Sequence, residues 1–178
     1  MSNNAWESEF RAVHARAVAA WRNGRRSVQS LLESEDLRFL DEVGCSAQEL
    51  FDFVDDLMAW GEPDLETVLA VQGVRRSYFL EEMGGRSSGK TGSMAALPSK
   101  SAAVDGIAWL PRLIVKARWK LRGEMPDELM YGCGGDRPFL RRMGMTLESF
   151  LQLVWECGDD DARIVAAVQS AAARRVRA

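Results

Sequence analysis

Two stretches of this chain are written in nearly the same order, one hundred positions apart, and that constrains its fold most. Residues 36–54 read DLRFLDEVGCSAQELFDFV, and residues 136–154 read DRPFLRRMGMTLESFLQLV. Without a gap, Asp36 aligns with Asp136, Phe39 with Phe139, Leu40 with Leu140, Gly44 with Gly144 and Val54 with Val154. Ser46 faces Thr146, and Leu50-Phe51 faces Phe150-Leu151. After a short deletion GEPDLETVLAVQG (61–73) continues against GDDDARIVAAVQS (158–170), and upstream Trp21 and Gly24 are set against Trp119 and Gly123. The matches fall on glycines, caps and apolar positions in one order, so two copies of one unit are expected.

Each copy predicts the same helices. Trp6, Phe10, Val13, Ala17 and Trp21 recur at spacings of three and four, one face of a helix. Ile107, Leu110, Ile114, Ala117 and Leu121 form the equivalent stripe, with Pro111 in the first turn or at a kink, since proline lacks an interior N–H. A short helix follows at 36–43 and at 136–143, stopped by Gly44 and Gly144. Ser46 and Thr146 cap the next helix. Ser46 with Glu49 makes a capping box, whereas Ser149 leaves the second copy with a single cap. The core stripe of that helix reads Leu50, Phe51, Val54, Leu57 and Met58 in one copy. In the other it reads Leu147, Phe150, Leu151, Val154 and Cys157, and Gly61 and Gly158 end the two helices. Glu62, Asp64 and Asp159 to Asp161 then open a last helix where negative charge suits the N-terminus.

The fold class is therefore all-α: two repeated helical units packed together. The first spans 5–83, a Gly/Ser-rich flexible linker spans 84–104, and the second spans 105–178. Strand signals and Asn-Gly or Asp-Gly hairpins are scarce.

Within the linker, GGRSSGKT (84–91) fits the phosphate-loop pattern through Gly84, Gly89, Lys90 and Thr91. That pattern works only when a buried strand precedes it and a helix follows. Here RRSYFLEEM precedes it, a helical end with two glutamates, and Pro98 soon follows, so it is read as a chance match without nucleotide binding. The formal net charge of -3 gives no global field for nucleic acid, although Arg22, Arg25, Arg26, Arg174, Arg175 and Arg177 cluster locally. Nucleic acid is not an expected partner. Three scattered cysteines make no disulfide framework, MSNNAWESEF has no signal-peptide pattern, and no apolar run reaches membrane length. A cytoplasmic location is expected, with no cofactor, no metal and no membrane.

From Pro98 to about Ser170 the chain resembles an uncharacterised bacterial family of small helical proteins, a domain-of-unknown-function family. The residues that carry it are GIAWLPRLIVKAR (106–118), YGCGGDRPFLRRMGM (131–145) and the capped helix after Thr146. The family usually has an aspartate where this chain has Val115, and Pro-Leu where it has Gly134-Gly135. The resemblance implies a helical fold and brings no established activity.

Arg112, Lys116 and Arg118 lie close on one helix, and Tyr131, Cys133, Asp136 and Arg137 lie in or beside a tight loop before the next. Cations beside loop N–H groups suit an anion or small ligand. The plainer reading is that the arginines pair with Asp136 or Glu124, and that Asp136 caps its helix. Cys133 has no evident histidine partner, since His14 belongs to the other copy. Asp52, Asp55 and Asp56 read as a solvated acidic face. No catalytic set emerges. The sequence favours a non-enzymatic interaction or accessory module with an unknown protein partner or self-association, over a ligand-binding protein, even an enzyme, built on 112–137.

Overall fold

The computed structural model describes residues 3–177, and of these the side chains of all but 3, 4 and 176; Met1, Ser2 and Ala178, which belong to the N-terminal stretch and to the end of the second expected repeat, lie outside it. The chain divides into two compact units, Met1–Ser87 and Ser88–Ala178. The fold is all-α: among the described residues the only strands are a two-residue antiparallel pair.

The first unit runs α1 (Asn3–Arg22), α2 (Val28–Leu31), α3 (Ser34–Glu42), α4 (Ala47–Trp60) and α5 (Leu65–Glu81). Helix α1 packs on α2, α4 and α5. Trp6, Phe10, Val13 and Ala17 are buried as their spacing requires, and Trp21 is half-buried with its indole N–H on Asp55 at 3.0 Å. In α4 the core residues are Leu50, Phe53 and Val54. Phe51, Leu57 and Met58, expected in that stripe, are only half-buried, because Phe53 turns inward in place of Phe51.

The second unit begins with a 3-10 turn (Met94–Ala96) and the pair β1 (Ala103–Val104) and β2 (Ile107–Ala108). It continues with α6 (Leu110–Arg122), α7 (Asp136–Arg142), α8 (Leu147–Cys157) and α9 (Asp161–Arg177). Helix α8 packs on α6, α7 and α9, and β1 lies against α6. Ile107, expected on the helical stripe, is in β2 instead. Helix α6 starts after Trp109, whose left-handed backbone (φ 77°) turns the chain, and Pro111 sits in the first turn where its missing N–H costs nothing. Leu147, Phe150, Leu151, Val154 and Cys157 are all buried.

The local signals recur in both units. Gly44 and Gly144 follow the short helices at φ 70° and 69°. The next N–H returns to Leu40 O at 2.9 Å from Cys45 and to Leu140 O at 3.0 Å from Met145. Ser46 Oγ accepts from Glu49 N at 3.1 Å, and Thr146 Oγ1 from Ser149 N at 3.0 Å. The second cap is also a full box, contrary to expectation, because Ser149 Oγ reaches back to accept from Thr146 N at 3.0 Å. A serine hydroxyl thus serves where glutamate does in the first unit.

Of residues 84–104, read from composition as flexible linker, 88–104 belong to the second unit. Gly92 N donates to Glu124 O at 2.8 Å, and Pro98 O accepts from Arg112 at 2.8 Å. Gly92 lies flat on Trp119, and a Cβ there would overlap the indole ring. Gly92→Ala is expected to lower unfolding stability by about 1–3 kcal/mol through overpacking. Urea denaturation checks this; an unchanged midpoint would mean the segment is not docked on α6.

Candidate functional site

The expected site is assembled around one carboxylate. Leu110, Leu113, Ile114, Ala117 and Leu121 turn α6 toward the core. Lys116 and Lys120, four apart on the same helix, are also buried, at 0% and 1% exposure. Lysine is rarely so buried unless paired. Lys116 is paired: its ammonium meets Asp136 Oδ2, and Asp136 too has 0% exposure. Lys116 Nζ also donates to Cys133 Sγ at 3.3 Å. Asp136 takes two further donors, Trp109 Nε1 on Oδ1 at 3.0 Å and Gly132 N on Oδ2 at 2.9 Å.

The loop before α7 is fixed from both sides. Arg137 Nη1 donates to Gly132 O at 2.7 Å, and Tyr131 OH donates to Leu147 O at 2.7 Å. Burial, and then the nearby Asp136 charge, push the Tyr131 phenol well above its ordinary value, so it stays a donor. Gly132 has φ 87° and leaves room for Leu147, which a Cβ would approach to 2.9 Å. Gly135 lies under the Trp109 ring, where a Cβ would overlap it.

The structure thus brings Lys116, Cys133 and Asp136 together and uses Tyr131 and Arg137 as braces. Arg112 is turned to Pro98 O, with its guanidinium 6.0 Å from the Trp109 ring centre. Arg118 reaches Gly158 O at 2.8 Å and Asp161 at 2.6 Å, at the α8–α9 turn. The expected arginine partners of Asp136 are corrected: lysine takes that place, and Arg122 is the residue on Glu124, at 2.9 Å. Asp136 does not cap α7 forward; it accepts from Gly132, four residues behind it.

A related contact sits in the first unit. Asp36, 2% exposed in the first turn of α3, accepts from Arg16 Nη2 at 2.6 Å and from Glu33 N at 3.0 Å. Arg16 precedes Asp36 by 20 residues, as Lys116 precedes Asp136.

The other candidates fall elsewhere. Gly84, Gly89, Lys90 and Thr91 are exposed, after the end of α5 and before the 3-10 turn. His14 is buried on α1, and its Nε2 has no hydrogen-bond partner. Burial holds its pKa below the ordinary value. Among the described residues no group of three His, Cys, Asp or Glu is placed to hold a metal. None of the described helices is long and apolar enough to cross a membrane. Asp52, Asp55 and Asp56 are half-buried rather than a solvated face, since Asp55 holds Trp21 and Asp52 takes Gln48 Nε2 at 2.7 Å.

Sequence reasoning missed Trp109, Gly132 and Gly135. Their signal was the run of glycines around Cys133, which reads as a close-packed loop, together with a tryptophan placed just ahead of the Leu110-Pro111 helix start.

Residues 95–178 match the model of a family described as Domain of unknown function (DUF5069). That span holds the whole Asp136 cluster. No curated protein and no solved structure matches the chain.

Asp136→Ala would strand a buried ammonium, and a loss of about 3–5 kcal/mol is expected. Lys116→Met added to that variant should recover part of it, as read by urea unfolding. Asp52 is pushed up to about 7, chiefly by burial. A raised folded value means its stability contribution is full below the unfolded value and is lost as pH rises through about 7. Asp52→Asn should therefore melt progressively higher than the parent between about pH 4 and about pH 7, with the gap levelling off above that. A gap independent of pH would contradict the assignment.

Proposed function

We propose that the protein is a non-enzymatic helical accessory or interaction module, acting through a protein partner or by self-association. The observation that carries this reading is the use made of the charged residues at 112–137. Arg112, Lys116, Arg118 and Arg137 each bond a carbonyl or carboxylate of their own unit. They serve as internal struts, so an anion would have to compete with bonds that hold the fold together.

A contact surface is available elsewhere. Trp60, at the end of α4, is 76% exposed, and Leu57 and Met58 beside it are half-buried. Exposed tryptophan is a frequent anchor of protein interfaces. The shared Asp-cation spacing, glycine turns and capping boxes support a duplicated unit, with the first copy the more divergent. Three free cysteines fit a reducing cytoplasm.

The test pairs capture from native extract with sedimentation. A stable protein partner or a self-associated species is expected, weakened about tenfold or more by Trp60→Ala with helicity unchanged. A strict monomer without a protein partner would overturn the reading. A phosphorylated metabolite that raises the melting temperature, with the effect lost in Arg112→Ala, would replace it with ligand binding at 112–137.

A further inference from the structure

We infer that Cys133 and Lys116 form a peroxide-responsive pair, which closes to a covalent nitrogen–sulfur link. Cys133 is the one cysteine of the three that is half-exposed; Cys45 and Cys157 are buried. Its Sγ lies 3.3 Å from Lys116 Nζ, a nitrogen sealed from solvent and held on its other side by Asp136 Oδ2. Cys133 is thus the cysteine that a small oxidant can approach from solvent, with the Lys116 amine against its sulfur. Asp136, itself fixed by Trp109 Nε1 and Gly132 N, keeps that amine in place and is positioned to take its proton.

The steps balance with a hydroperoxide as the oxidant. Sγ attacks one peroxide oxygen of hydrogen peroxide, the O–O bond breaks, and the products are a sulfenic acid and water. Lys116 Nζ passes one proton to Asp136 Oδ2, and its freed electron pair attacks Sγ. The S–O bond breaks, and hydroxide leaves as water with a second proton from the nitrogen. An N–S bond, water and a neutral Asp136 remain, and sulfur has given up the two electrons that reduced the peroxide. A sulfenic acid condenses with a backbone nitrogen to a sulfenamide, which a thiol reverses, and the Lys116 amine takes the place of that nitrogen here. The buried ion pair is thereby exchanged for a neutral bridge between α6 and the loop before α7.

The full chain is treated with hydrogen peroxide and digested without reductant, and its peptides are weighed. The expected product joins the Lys116 and Cys133 peptides, about 2 mass units lighter than the two together. It should be absent from Cys133→Ser and released by dithiothreitol. Cys133 recovered as free thiol, or as sulfinic or sulfonic acid with Lys116 unmodified, overturns the inference. Lys116→Arg should lose the link. Where that variant does not fold, as read by circular dichroism, the parent's peptide map decides alone.

Discussion

A carboxylate with no solvent must find its compensation inside the protein, and the second unit is arranged around that need. Asp136 opens α7, and its three donors come from three other places: the residue before α6, the body of α6, and the loop between α6 and α7. Removing two charges from water costs several kcal/mol per ion, and only close geometry with added hydrogen bonds offsets this. The cluster therefore adds little net stability beyond an apolar core of similar volume. Its effect is directional: an irregular loop of Gly-rich sequence is held in one conformation because any other strands a charge.

The first unit places a similar contact under different physical conditions. Asp36 is buried, yet its partner Arg16 keeps a side chain 51% exposed. Water solvates that guanidinium from one side, so the pair is screened and its disruption costs less. Where unit two seals a lysine, unit one uses the longer arginine to reach in from the surface. The same spacing along the chain is compatible with both.

The helices were legible because their signals are local. Stripes at three and four, glycines that must turn left-handed, and Ser or Thr at caps each act within a few residues. What escaped was set by tertiary contact. Lys116 reads as a surface residue until a buried acid is placed beside it, so Asp136 was assigned to arginines. Ile107 fits the apolar period, but the positive φ of Asp105 and Gly106 before it and of Trp109 after it take it out of the helix. Phe51 and Phe53 are equally apolar, and which one is buried is settled by the tertiary packing of α4, which meets both α1 and α2. Segment 84–104 has a tether's composition, yet Gly92 is there because an indole ring occupies the space of its side chain.

That last contact has a counterpart at the other end of α6. Gly92 lies against Trp119 and Gly135 against Trp109, so each indole is covered by a stretch of bare backbone. The two tryptophans act as flat shelves, and the glycines are the only residues thin enough to rest on them. A related chain can change its helical surfaces freely, but it must change ring and glycine together, so these two pairs are where covariation among relatives should concentrate.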